Sequence, residues 1–389
     1  MKIIRNKKVV YGILLMILCV YLFELKSFTN YLVIQQGMKL LQLLAYFVYT
    51  FFVIKMRYKN SSINIFHYAL ITFGILLSCY AIFSEHISML FPCLNVLLIY
   101  FFFFYTTKNN IITNKVMKYF SLCFVFVAGV LFIDNLLFIF SYRDSLAEAG
   151  GMNIGYTLFA AMLLVLLFYS EKKYFVLIIC LFIAILFSLK RGAVLCGGVV
   201  LLGVTYCAFK EYSLKIKLLL IGSGILGIFI VNSYFVDIPN IVFHRFTDGS
   251  LQSGSGRSVI YSTILNDFMQ AGIIQMLFGR GFFAAGDMNY DGTIYGEGYY
   301  AHSDLYELIC DHGMIGMVCY IFLLLSVLFL GYNRKYLCDK NILFIILSVW
   351  MLKAYFAGVY TTLQSQTIFM ALGFLNGKYI REINMRYLY

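Results

Sequence analysis

Charge is scarce in this sequence: only 12% of its 389 residues are Asp, Glu, Lys or Arg, against 62% hydrophobic. A soluble domain needs far more charge than this to keep its surface in water. Proline is nearly absent, with two in the whole chain, which excludes a loop-rich β architecture and suits long helices. No C-x-x-C pair occurs, so no thiolate metal or redox motif is present. The ten cysteines fall almost entirely in apolar runs, as at Cys19, Cys79, Cys180 and Cys207, and read as small buried apolar residues. Internal repeats are also missing.

What is there in abundance is apolar length. Runs of Phe, Leu, Ile and Val recur with close to the ~20 residues that cross a ~30 Å hydrocarbon layer. They predict an all-α integral membrane protein, a single polytopic domain over 1–389. Its spans are expected near 9–25, 40–54, 63–84, 87–105, 117–141, 154–170, 174–189, 192–209, 215–235, 304–331, 341–359 and 362–378. The basic start Met1-Lys2-Ile3-Ile4-Arg5-Asn6-Lys7-Lys8 resembles a signal peptide. It has no small-residue cleavage site after it, so it reads as a retained first helix.

The formal net charge is +12, but the basic residues are spread over short connections, with no Arg-rich face to follow a nucleic-acid backbone. With the N-terminus inside, the inner segments 1–8, 55–62, 106–116, 170–173, 210–217, 332–340 and 378–389, with Lys118, hold 21 of the 30 basic residues. Their acidic residues are only Glu171, Glu211, Asp339 and Glu382. That bias is the positive-inside pattern, and an even number of spans leaves both termini cytoplasmic. The same count makes 236–303 a long outer loop, polar and rich in Gly, Ser, Asp and Tyr, between the ninth and tenth spans.

Basic residues on the outer side are the informative ones. Arg191, in Lys190-Arg191-Gly192, gains nothing from orientation. It is either a side chain snorkelling to the headgroups or a guanidinium fork aimed at a phosphate. Arg257 in Ser255-Gly256-Arg257 and Arg280 in Gly279-Arg280-Gly281 have glycines beside them that allow close backbone approach to an anion. His302 stands where the loop re-enters the membrane and suits a base at neutral pH, or simply a helix start capped by Ser303 or Asp304. Asp304, Glu307 and Asp311 follow at helical spacing, and such a stripe must face the bundle interior or water. The run from Asp287 through Asn289 and Asp291 to Gly292 matches the opening of an EF-hand calcium loop. It departs at its end, where Gly298 holds position twelve and Glu297 comes one residue early. It is therefore either a structural calcium site or an Asx- and Gly-rich turn. No cofactor is otherwise expected.

Together these pieces resemble the O-antigen ligase and O-antigen polymerase family of bacterial surface-polysaccharide enzymes. The resemblance runs from about 185 to 325. It rests on Ser188-Leu189-Lys190-Arg191-Gly192, on Ser255-Gly256-Arg257 and Phe278-Gly279-Arg280-Gly281, and on His302-Ser303 followed by Asp311-His312-Gly313. Here Asp311 stands where Glu is more usual, and Leu falls at 305 and 308. The resemblance implies a GT-C-like glycosyltransferase of the inner membrane acting on undecaprenyl-pyrophosphate-linked sugars at its outer face. It implies that Arg191 and Arg257 bind pyrophosphate with help from Arg280. His302 would activate the acceptor or contact the phosphates, with no metal required. A chain-length regulator protein is an implied partner.

A polymerase that joins repeat units on the lipid carrier is the preferred expectation, on the Tyr- and Phe-rich chain. A ligase that moves the finished chain to lipid A-core is the alternative. A lipid-linked oligosaccharide flippase is the alternative of another class, for which repeats and mid-membrane charges would be expected.

Overall fold

A computed structural model describes residues 7–22, 32–57, 64–87, 90–141, 154–188, 190–211, 257–287, 301–332, 337–360 and 362–386. Among them every regular element is helical. We number them α1 (Lys7–Leu22), α2 (Leu32–Arg57), α3 (Ile65–Ile82), α4 (Leu90–Lys108), α5 (Asn114–Ser141), α6 (Ile154–Leu166), α7 (Lys172–Phe187), α8 (Arg191–Glu211), α9 (Arg257–Gln270), α10 (Ile273–Phe278), α11 (Ala284–Asp287), α12 (Asp304–Tyr332), α13 (Leu337–Phe356) and α14 (Gln366–Arg386). A 3-10 turn, Leu363–Ser365, precedes α14.

Among the described residues four helices are long and apolar enough to cross a membrane, namely α3, α4, the first part of α5, and α12; α6 and most of α8 are shorter apolar helices. The expected span at 215–235 lies outside the described residues. The second span is longer than the expected 40–54: α2 has 26 residues, from Leu32 to Arg57, and includes Lys39. The polar loop 236–303 is not featureless, since α9, α10 and α11 form within it.

One large core holds the bundle together, and its tightest crossing is α14 on α4. Gly373 and Gly377 form a G-x-x-x-G face, where a Cβ would strike the carbonyls of Tyr100 and Phe104. Beside them Asn376 Nδ2 donates to the Tyr100 hydroxyl at 2.6 Å. Buried amides tie a third helix in: Asn95 Nδ2 donates to Gln42 Oε1 at 3.3 Å, and Gln42 Nε2 donates to the Tyr46 hydroxyl at 2.6 Å. In an apolar bundle such polar contacts fix which faces meet.

A second, smaller core joins the loop helices to α12 through Ile260, Ile264, Ala285, Ala301 and Cys310. Above it the rings of Tyr261 and Tyr306 stack with centroids 3.9 Å apart.

The connections assigned to opposite sides by the charge census gather at opposite ends of the bundle. At one end Ser84 Oγ donates to Phe282 O, Ser303 Oγ to Ala354 O, and the Tyr21 hydroxyl to Leu363 O. At the other, Arg381 Nη1 reaches Asn110, Lys378 pairs with Asp339, and Lys118 pairs with Glu171.

Candidate functional site

The site is built on the first turns of α12. His302 precedes the helix with φ +54°, in the left-handed region that costs a non-glycine residue about 1–3 kcal/mol and needs support from its surroundings. Support comes from Glu307, whose Oε1 accepts the His302 backbone N–H at 3.1 Å. Ser303 is buried against the end of α13, and its carbonyl accepts from the Glu307 N–H at 3.0 Å.

The acidic stripe has a common purpose. Asp304 Oδ1 accepts from the Val359 N–H at 2.7 Å, while its Oδ2 takes the Tyr320 hydroxyl. That hydroxyl in turn accepts from Trp350 Nε1 at 2.8 Å. Asp311 accepts from the N–H groups of Phe283 and Ala285 at 3.0 and 2.8 Å. Each of the three buried carboxylates thus grips the backbone of a different segment: the α13–α14 connection, the His302 lip and the 282–286 turn. The space between these segments is a cleft of about 340 Å³ lined by His302, Glu307, Asp311, Phe282, Tyr360 and Thr362. Its size falls in the usual range for small-molecule sites, about 300–1,000 Å³. The stripe is a frame for the cleft, and its spacing at i, i+3 and i+7 is what lets one helix face serve three walls.

The two glycine-bearing motifs lock together behind it. Arg280 N–H donates to Cys310 O at 2.8 Å and Gly281 N–H to Asp311 O at 3.0 Å. Gly279 (φ +74°) leaves no room for a Cβ against the Asp311 carbonyl. At Gly313 (φ +59°) a Cβ would lie 2.5 Å from Met276 O. Gly313 also breaks α12, so the cleft-bearing turns and the apolar remainder are separate helical pieces.

Arg191 opens α8 in a tight corner. A Cβ on Gly155 would run into Ser188 Oγ, and one on Gly192 into the Tyr156 hydroxyl. Tyr156 then links this corner to the cleft. Lys190 Nζ lies 5.8 Å from its ring centroid and Lys353 Nζ 5.2 Å. Lys353 is fully buried and donates to Gly358 O at 2.6 Å, Thr362 Oγ1 at 2.7 Å and Ser365 Oγ at 2.6 Å. Thr362 lines the His302 cleft. The route from Arg191 to His302 therefore runs Gly192, Tyr156, Lys353, Thr362.

Not every expected residue meets there. Arg280 turns to Asp267, with Nε to Oδ2 at 2.6 Å and a second bond between Nη2 and Oδ1. That carboxylate raises the proton affinity of the guanidinium further, so the pair stays ionic. It borders a neighbouring groove rather than the cleft. Arg257 is the first residue of α9, and its side chain lies outside the described residues, as do Asn289 and Asp291 of the calcium-like run; Asp287 ends α11. Among the described residues no group of three His, Cys, Asp or Glu is placed to hold a metal ion.

Lys353 and Asp267 were not singled out by sequence. Lys353 sits in an apolar run that reads as uninterrupted membrane span. Its signal was available, because a lysine at the outer end of a span breaks the same positive-inside rule that drew attention to Arg191.

Residues 175–321 match the family model described as O-Antigen ligase. Over this segment the chain is similar to the O-antigen ligase family. The match runs from α7 into α12, so Arg191, Arg257, Arg280 and His302 all fall within the matched segment. Lys353 and its partners fall beyond it, and α1–α6 precede it. No curated protein and no solved structure matches the chain. The apolar helices and the similarity over 175–321 fit a multi-pass membrane protein.

Proposed function

We propose that the protein is a glycosyltransferase of the bacterial inner membrane that joins undecaprenyl-pyrophosphate-linked repeat units at the outer face, a polysaccharide polymerase. In this reading it has twelve spans in a GT-C-like arrangement with both termini cytoplasmic. The observation that carries it is the physical linkage of the Arg191 corner to the His302 cleft through Tyr156, Lys353 and Thr362.

The chemistry suits these residues. An acceptor hydroxyl attacks the anomeric carbon, and its proton passes to the His302 ring. The carbon–oxygen bond to pyrophosphate breaks as the new glycosidic bond forms, and a single displacement of this kind inverts the carbon. Negative charge grows on the departing pyrophosphate, where Arg191 and Arg257 meet it with planar donor forks. Arg280 is paired with Asp267 and borders the neighbouring groove.

The second reading is a ligase that transfers the finished chain to lipid A-core, favoured by the description of the matching family. Deleting the gene separates the two. A polymerase deletion leaves surface lipid capped with one repeat unit, whereas a ligase deletion leaves no capped lipid and strands chains on the carrier. The first pattern is expected. Deleting a flippase would instead leave repeat units trapped on the cytoplasmic side, and the purified protein would catalyse no transfer.

A further inference from the structure

A second cavity lies against the first. It is a groove of about 610 Å³ between the α3–α4 connection and the 278–284 turn, lined by Tyr80, Phe83, Glu85, His86, Phe278 and Arg280. Phe282 lines both cavities. The connection is fastened to the cleft's own wall: Ser84 Oγ donates to Phe282 O at 3.0 Å, and the His86 ring packs on Phe283 at 5.0 Å.

Its chemistry is mixed in a particular way. Phe83 is 92% exposed, an aromatic ring with both faces open, two residues from the exposed Glu85. Across the groove Arg280 is fixed by Asp267, which takes its Nε and Nη2 and leaves the Nη1 N–H groups as donors on a guanidinium held in place. A sugar has an apolar C–H face and a rim of hydroxyls. It is bound by an aromatic face with charged hydrogen-bonding groups beside it. An acyl chain would use the rings and cover the Glu85 carboxylate without giving it a hydrogen bond.

We propose that this groove is a saccharide subsite, which holds sugars of the acceptor chain beyond the one that reacts in the His302 cleft. The proposal rests on the glycosyl-transfer reading, since it takes the acceptor to be a saccharide. It adds where the rest of that saccharide lies. It also explains Arg280: the residue serves sugar hydroxyls in the groove.

The test is calorimetry on the full-length protein in lipid nanodiscs. The probes are lipid-free oligosaccharides of one, two and four repeat units, released by mild acid from the producing cell's own polysaccharide. Affinity is expected to rise with length. Phe83→Ala and Glu85→Gln should each weaken four-unit binding at least about fivefold, the worth of one stacking or charged contact, and leave one-unit binding unchanged. Both positions are exposed, so both variants should fold. Length-independent affinity, or unchanged four-unit binding in both variants, would overturn the subsite. So would four-unit binding that an excess of short-chain phospholipid abolishes in wild type and both variants alike, for then the groove holds lipid. Failure of the transfer reading shows elsewhere, as unimpaired turnover by His302→Ala, and leaves the calorimetry untouched.

Discussion

Gly279 and Gly313 stand backbone to backbone: a Cβ on Gly313 would lie 2.6 Å from the Gly279 nitrogen, and both residues have positive φ. Through this contact the turn before the cleft and the break in α12 are one rigid unit. Alanine at either position must adopt left-handed backbone and push a main chain aside. Each substitution is expected to cost about 2 kcal/mol or more. Thermal unfolding in detergent should show a clear fall in Tm for both. Gly129→Ala in α5, where nothing lies within 4 Å, should be neutral or mildly stabilising. Equal behaviour of all three would remove the locking role.

Glu307 holds His302 by accepting a backbone N–H, which a neutral amide oxygen does as well. Glu307→Gln should therefore keep most of the transfer rate. Glu307→Ala should lose at least about tenfold, because the left-handed His302 loses its support. Measuring kcat for both variants decides the point. An inactive, well-folded Glu307→Gln would mean that the carboxylate charge itself acts in the reaction.

Lys353 serves three acceptors, of Gly358, Thr362 and Ser365, with one ammonium. Lys353→Met leaves them without their donor and frees the α13–α14 connection that lines the cleft. These acceptors are neutral, so a loss of about 1–3 kcal/mol in stability is expected, the cost of leaving buried acceptors unsatisfied. Denaturation monitored by Trp350 fluorescence would read it. A stability change under ~1 kcal/mol would show the network to be dispensable.

The two ends of the bundle give a test of orientation. In a background free of native cysteines, Glu85→Cys should react with an impermeant thiol reagent added from outside to cells with a permeabilised outer envelope. Asn110→Cys, beside Arg381 at the other end, should not. The reverse pattern would invert the protein in the membrane.

Much of this was legible in the sequence because it depends on local rules. Apolar length located the described apolar helices, and Asp304, Glu307 and Asp311 at helical spacing had to face the bundle interior or water. What they grip could not be read: Val359 is far along the chain from Asp304, and Phe283 lies on a turn whose position only the fold sets. The same holds for Arg280, whose local glycines suggested an anion while its partner Asp267 sits one helix away. The crossing at Gly373 and Gly377 was written openly as G-x-x-x-G, yet only the carbonyls of α4 give it meaning. The helices α9–α11 were hidden by a polar composition in which their buried side, Ile260 and Ile264, is a small minority.

The central claim is that the Arg191 corner and the His302 cleft form one transfer site, and in vitro chain extension with defined lipid-linked repeat units tests it most directly. Arg191→Ala should slow extension about 10²–10³-fold, as for loss of one donor to developing charge. Arg191→Lys should recover only part of that, because a point charge lacks the bidentate fork. His302→Ala should lose at least ~10²-fold, and EDTA should change nothing. Near-normal turnover by a well-folded His302→Ala, or abolition by EDTA with rescue by a divalent ion, would contradict the account.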